Sequence, residues 1–259
     1  MNRFIIAAIV LSVCSIPVSP PLRAAGGPPA TAEDILNHVD DLFRGVSSHA
    51  IMQMTVTTAH YTRDMTLEAW SKGKENSLVR IVKPEKEKGT ATLKAGSNIW
   101  NYLPKVNRII KIPSSMMGGS WMGSHFTNDD LVKESRMADD YASSISFRGE
   151  RKGVGMIELT LIPKPDAAVV WGKVVVEVMD GSYLPLKIDY YDERMKLVRT
   201  MVFSEIREVG TRRLPMRLRM IPVDKPNEYT EILYTTIEFD IPLQDSFFSL
   251  RSLKELEAP

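Results

Sequence analysis

The chain has 259 residues, and its 33 basic residues nearly balance its 32 acidic ones, which leaves a formal net charge of +1. This balance gives no electrostatic basis for nucleic-acid binding. The single cysteine excludes an intramolecular disulfide, and the spacing of cysteine and histidine predicts no metal or other cofactor site, so stability has to come from packing.

The N-terminus is typical of an export signal. Arg3 precedes an apolar run over residues 4–13, which is shorter than the roughly 20 apolar residues that a membrane-spanning helix needs. We predict a signal peptide over residues 1–25 and a mature domain over residues 26–259 in the periplasm. Small residues around Ala25 favour release of a soluble protein, whereas the Leu-Ser-Val-Cys sequence that ends at Cys14 leaves open a membrane-anchored lipoprotein.

A short amphipathic helix is predicted at the start of the mature chain. Thr31 and Asp34 have the spacing of a helix N-cap and its capping-box partner. Ile35, Val39, Leu42 and Val46 recur at spacings of three and four, with Asp40, Asp41 and Arg44 on the other side.

Beyond Ser48 the apolar period changes to two. Residues 52–56 and 65–69 alternate apolar and polar side chains, as half-buried strands do. Similar segments recur as far as Phe239, separated by turn residues such as Asp180-Gly181. About a dozen strands joined mostly by tight turns predict a mainly β protein, an antiparallel meander curled into a barrel or part-barrel.

Residues 113–140 depart from this strand pattern. Three methionines and a tryptophan lie among glycines and serines, and a helical turn capped by Thr127 and Asp130 follows. Flexible methionines adapt to irregular apolar partners. Two interpretations stay open: the segment tucks these side chains into the core, or it forms a mobile lid that contacts a ligand.

No combination of residues indicates an enzyme. The four histidines form no H-E-x-x-H motif, and no serine lies in a nucleophile elbow. His125, beside Ser124 and close to Asp129 and Asp130, is the one local grouping of hydrolytic type, and the sequence offers it no oxyanion hole. We therefore expect a binding protein.

Two stretches resemble the LolA-like proteins of outer-membrane lipoprotein sorting. They are Ile99-Trp100-Asn101-Tyr102-Leu103-Pro104 and Met122-Gly123-Ser124-His125-Phe126-Thr127-Asn128-Asp129-Asp130-Leu131. The resemblance covers most of the mature chain. His125 stands where that family usually has an aspartate, so a role that depends on a charge there does not carry over.

This resemblance implies a strongly curved antiparallel sheet that forms a half-open β-barrel, with an N-terminal helix and a short lid of helix and loop. It also implies a monomeric carrier or chaperone whose apolar cavity holds lipoprotein acyl chains or another lipid. The expected lipid contacts are Met52, Met54, Val56, Met65, Leu67, Trp100, Tyr102, Met116, Met117, Trp121 and Met122.

A non-carrier role is the alternative. Arg217 and Arg219 share a strand face, and with Arg212 and Arg213 they form a basic cluster that would meet anionic headgroups or an acidic partner. By resemblance, that partner would be an inner-membrane lipid exporter of the resistance-nodulation-division (RND) type, and an envelope sensor is a further possibility.

Overall fold

The computed structural model describes residues 30–133, 137–167 and 169–254, so the predicted signal peptide and Cys14 lie outside the described residues. Helix α1 (Ala32–Asp41) begins at the predicted N-cap, where the Thr31 hydroxyl accepts a hydrogen bond from the backbone N–H of Asp34 at 3.1 Å. The Asp34 carboxylate in turn accepts from the backbone N–H of Thr31 at 2.9 Å. This capping box fixes where the chain enters the helix.

Thirteen strands follow, which agrees with the predicted count of about a dozen. They are β1 (Ser47–Thr57), β2 (Thr62–Lys72), β3 (Asn76–Lys83), β4 (Ala91–Ala95), β5 (Asn98–Leu103), β6 (Arg108–Lys111), β7 (Tyr141–Arg151), β8 (Val154–Pro163), β9 (Lys173–Met179), β10 (Pro185–Tyr191), β11 (Leu197–Val209), β12 (Arg212–Pro222) and β13 (Tyr229–Phe239). Three short helices, α2 (Asn128–Lys133), α3 (Met137–Asp140) and α4 (Leu250–Lys254), complete the described elements.

All thirteen strands form one antiparallel sheet in the order β6-β5-β4-β3-β2-β1-β13-β12-β11-β10-β9-β8-β7. Each half of the sheet is a meander of consecutive strands, and the two halves meet where β1 pairs with β13. Strands β6 and β7 are the two edges, so the curled sheet stays open. The predicted mainly β, half-open architecture is confirmed.

The order of the strands makes the connection between β6 and β7 long. Because these strands are opposite edges, the connection between them has to pass over one face of the sheet. We call its described residues, 112–133 and 137–140, the crossover, and the face beneath them the inner face. Trp121 of the crossover is 4% exposed and donates its Nε1–H to the Thr92 hydroxyl on β4 at 3.0 Å. Helix α1 packs on the same face through Ile35, Leu36 and Val39.

The sheet has a core on each face. The larger one joins the inner face to α1 and the crossover. The smaller one, on the outer face, packs the C-terminal segment against β2–β5, where Phe248 and Leu253 meet Trp70 and Tyr102. Successive side chains of a strand point to opposite faces, and β2–β5 carry apolar side chains on both, so a second core can form on the outer face.

The first helix departs from its predicted pattern at two positions. Val46 is 73% exposed, since α1 ends at Asp41, before the turn that would have pointed Val46 inward. Asp40, predicted on the polar side, is only 3% exposed because it lies one turn beyond Leu36 on the buried stripe.

Candidate functional site

The inner face of β1–β4 consists of rows of side chains in register across the strands. The first row is Ser48, Ser71, Ser77 and Lys94; the second is Ala50, Ala69, Val79 and Thr92; the third is Met52, Leu67 and Ile81. The face therefore changes from polar to apolar along the strands. The small side chains of the middle row leave space between this face and the elements that cover it, α1 and the crossover.

A cavity of about 200 Å³ occupies this space. Its far wall comes from the other half of the sheet through Ile188, Phe203, Leu218, Ile232, Tyr234 and Ile237. Its roof comes from α1, the turn after α1 and the crossover; the residues are Val39, Phe43, Trp121, Phe126 and Leu131. Sites for drug-sized ligands usually measure roughly 300–1,000 Å³, so this cavity takes only part of a long apolar ligand unless the roof moves.

One end of the cavity is charged. Arg44, Lys74, Lys94 and Asp40 line it, and both Lys94 and Asp40 are 3% exposed. The Lys94 ammonium donates to the carbonyl oxygen of Lys74. The Lys74 ammonium reaches the side-chain oxygen of Asn37 on α1 at 3.4 Å. These contacts hold the β2–β3 turn against the helix.

A buried arginine holds the crossover to the opposite half of the sheet. Arg199 on β11 pairs with Asp130 and donates from Nη1 to the carbonyl oxygen of His125 at 3.0 Å. Its guanidinium carbon lies 4.3 Å from the ring centroid of Trp171 and 4.5 Å from that of Tyr190. A planar guanidinium stacks on aromatic rings and is more weakly hydrated than an ammonium group, so this buried position favours arginine over lysine.

His125 adds a second attachment of the crossover, to β13. The Thr230 hydroxyl accepts the backbone N–H of His125 at 2.9 Å and lies 2.8 Å from its ring Nδ1. The ring Nε2 lies 3.4 Å from a Glu228 carboxylate oxygen. Hydrogen bonding by the backbone N–H of Ala59 lowers the pKa of the Glu228 carboxyl. The His125 ring therefore bonds to the sheet, whereas Ser124 Oγ accepts from the backbone N–H of Phe126 at 3.1 Å.

Three solved structures share this fold. An outer membrane lipoprotein-sorting protein domain from Vibrio parahaemolyticus is 24% identical, with a TM-score of 0.77 over 86% of this chain and 98% of that one. A DUF1329 family protein from Desulfovibrio piger is 21% identical, with a TM-score of 0.78 over 86% and 97%. A LolA superfamily protein from Nitrosomonas europaea is 23% identical, with a TM-score of 0.74 over 86% and 99%.

A family model with the description "uncharacterized protein"-like matches residues 73–255, which is more than half of the chain. The chain belongs to the family of this model. The LolA-like resemblance predicted from the sequence is confirmed by this match together with the fold of the three solved structures. No curated protein has a significantly similar sequence.

Within residues 30–133, 137–167 and 169–254, no helix is both long enough and apolar enough to cross a membrane. The same residues contain no group of three or more histidine, cysteine, aspartate or glutamate side chains placed to hold a metal ion.

The structure places the predicted lipid contacts in three different surroundings. Met52 and Trp121 line the cavity of the LolA-like fold. Further along the same inner face, Met54, Val56, Met65 and Leu67 lie in the core, each at most 3% exposed. Met54 and Met65 also line a second pocket, beside Pro84. Met122 is half-buried at the edge of that core.

Trp100 and Tyr102 lie on the outer face. In register with Leu93 and Ala91 on β4, they face the C-terminal segment. They therefore cannot line the inner cavity, although they share a strand face as predicted. Their strand contributes only its odd-numbered positions, such as Ile99, to the inner side.

The crossover divides its apolar residues. Trp121 points into the core, as the tucked interpretation predicts, whereas Met116 is 55% exposed and Met117 half-buried. The backbone N–H of Asp129 donates to the carbonyl oxygen of Met117 at 2.8 Å, which closes the loop on itself. Met116 and Met117 therefore lie at the outer rim of the roof.

Most of the predicted basic cluster is engaged within the sheet. Arg217 pairs with Glu205 and Glu231, and Arg219 pairs with Glu231. The Arg212 guanidinium carbon lies 4.4 Å from the ring centroid of Phe239, and Arg213 is exposed. These pairs neutralise much of the positive charge, and docking on an RND-type exporter stays a prediction.

Sequence reasoning missed the far wall and the charged end of the cavity. Phe203, Leu218 and Ile232 lie on predicted strands. The alternation of apolar and polar residues indicates that such side chains are buried, but it does not show which part of the molecule they contact. Ser48, Ser71 and Ser77 lie on three different strands and form a row only once the register of those strands is known. Asp40 was assigned to the wrong side of its helix.

Proposed function

We propose that this LolA-like protein is a carrier that binds the acyl chains of a lipoprotein or of another lipid in the cavity between the inner face and the crossover. The observation that supports this most is the cavity itself: apolar walls from both halves of an open sheet, under a roof made of helix and loop. Each methylene group moved from water into such a place contributes about 0.8 kcal/mol.

The roof gives the ligand a way in. The crossover is held to the sheet by side-chain contacts rather than by strand pairing. They include those of Arg199, His125 and Trp121, and the hydrogen bond that Arg63 on β2 donates to the carbonyl oxygen of Met122 at 2.7 Å. Segments of this kind open locally at a lower free energy than the strands beneath them. A long acyl chain would enter by displacing the crossover, which enlarges the cavity of about 200 Å³.

The proposed location is the periplasm, where the predicted signal peptide would deliver the mature chain. Lipids that leave the inner membrane there need a protein that shields their chains from water. Such a role fits the similarity of the fold to an outer membrane lipoprotein-sorting protein domain and to a LolA superfamily protein.

The test combines native mass spectrometry of the protein from a periplasmic extract with uptake of a fluorescent fatty acid. Wild-type protein should carry a lipid mass and take up the probe. The variant Ala69→Leu extends the middle row into the cavity and should reduce uptake by at least about tenfold, because the void it fills is the binding site. Its melting temperature should stay within a few degrees of wild type, since filling a void is tolerated or mildly stabilising.

The matched control is Ala142→Leu, which adds the same atoms at an exposed position of the edge strand β7. This variant should take up the probe as wild type does. Wild-type protein that carries no lipid and takes up no probe would end the carrier proposal, and equal uptake by the two variants would move the site elsewhere.

A further inference from the structure

We propose that the charged end of the cavity binds the anionic head group of an acyl lipid, a carboxylate or a phosphate, while the chain lies along the apolar rows. This inference rests on the proposed carrier function and adds the class of ligand. It places the head group beside Arg44, Lys74 and Lys94, on the first row of the inner face.

The balance of charge at this end is positive. Five charged side chains line the cavity: Arg44, Lys74, Lys94, Asp40 and Asp130. Asp130 is neutralised by its pairing with Arg199. The remaining lining contributes three cations and one carboxylate, so the wall carries a net positive charge that an anionic head group complements.

The first row also supplies hydroxyl donors at the same level. Ser48 and Ser71 are bonded to each other through their hydroxyls at 2.7 Å, and Ser77 lies between Ser71 and Lys94 in the register. Hydroxyls and ammonium groups that converge on one place suit the several acceptor lone pairs of a carboxylate or phosphate.

The positions along the strands match the shape of an acyl lipid. The first row is four residues from the third, and four residues of a strand span about 13 Å. A head group beside Lys94 therefore leaves its chain running over Ala69 toward Met52, into the apolar part of the cavity. An anion partly withdrawn from water at this end also interacts more strongly with the cations than it would at the surface.

A neutral lipid fits this end less well. Its uncharged head group would lie beside Arg44, Lys74 and Lys94 without offering them a negative charge. The preference for an anion therefore comes from the charged end of the cavity, and it can be measured separately from the affinity for the acyl chain.

The test measures displacement of a fluorescent fatty acid by laurate and by dodecanol, which have the same chain and differ in charge. Wild-type protein should bind laurate at least about tenfold more tightly, the factor that one charge-assisted hydrogen bond supplies. The double variant Arg44→Gln/Lys74→Gln should weaken this preference severalfold, because Lys94 is then the one cation left of the three, and should keep its affinity for dodecanol. Competition by dodecyl phosphate against laurate then shows whether the site favours phosphate or carboxylate.

The control is Lys88→Gln/Lys105→Gln, which removes the same charge from two exposed positions outside the cavity and should keep the preference. Equal binding of laurate and dodecanol by wild type, or an unchanged preference in the cavity variant, overturns the head-group site and leaves the carrier proposal standing. If neither amphiphile binds, the carrier proposal falls as well. Thermal melting of each variant shows that the comparison is made on folded protein.

Discussion

Arg199 shows how one side chain ties two parts of the molecule together. Its charge is buried, and Asp130 is the carboxylate that balances it. We expect Asp130→Asn to lower the free energy of unfolding by about 3 kcal/mol, because a buried arginine then keeps its charge without a counter-charge. Urea denaturation measures this, and the amide retains an acceptor for the backbone N–H of Thr127.

The control for this prediction is Glu85→Gln, which breaks an exposed ion pair with Lys88. Exposed pairs contribute little, so the change should stay within about 0.5 kcal/mol. An Asp130→Asn protein as stable as wild type would show that the pair contributes no net stability.

Single residues also mark where sequence reasoning stops. Alternation correctly put Met52, Met54 and Leu67 on one face, and Trp100 and Tyr102 on one face. It could not show that these are opposite faces of the sheet, because the phase of the alternation in each strand depends on pairing. The outer core, which buries Tyr102 under the C-terminal segment, has no local signal in the sequence.

At the scale of elements, the crossover is the part whose stability should be adjustable on its own. The Thr92 hydroxyl accepts the Nε1–H of the buried Trp121. We expect Thr92→Val to leave this donor unpaired at a cost of about 1–3 kcal/mol, which favours the open state of the crossover. Hydrogen exchange of the amides of residues 117–129 should then quicken by about tenfold or more.

Thr200→Val is the matched control, since Thr200 donates its hydroxyl hydrogen to Asp189 on the outer face. That change should leave exchange in the crossover as it is in wild type. Equal acceleration by both variants would mean that the crossover opens only with the whole sheet.

Binding should act on the crossover in the opposite direction. If the crossover roofs the lipid site, exchange in residues 116–122 should slow when a fatty acid binds, because the closed state is favoured. Exchange that is already slow, and unaffected by any lipid, would instead support the tucked interpretation for the whole segment. The sequence predicted that this segment is exceptional; its path across the sheet follows only from the positions of β6 and β7.

The whole molecule is one sheet with a core on each face, and the two cores should be separable. Phe248 is 7% exposed in the outer core. We expect Phe248→Ala to lower the free energy of unfolding by about 3 kcal/mol, as large-to-small changes in a core do, while fatty-acid affinity stays unchanged. Leu250→Ala, at a residue 44% exposed, should change neither quantity.

A loss of affinity in the folded Phe248→Ala protein would show that the outer core shapes the cavity through the sheet. Thermal melting together with fluorescent fatty-acid uptake distinguishes the outcomes. The sequence predicted the strands of this sheet from period two and turn residues. The sequence could not predict the order of the strands, because local patterns do not show which strands pair with each other.

The pairing of β1 with β13 has a consequence for how the chain reaches its fold. These strands are separated by most of the sequence, and the central ladder closes only when both are present. Contacts between distant residues are made late and slowly, because the entropy of closing the intervening loop is lost before they form. A nascent chain that lacks residues 229–239 therefore has no β13 to pair with the side of β1 that faces away from β2, and the two meanders cannot join. The central ladder would therefore form only after residues 229–239 have been synthesised, however early the strands of the first meander become available.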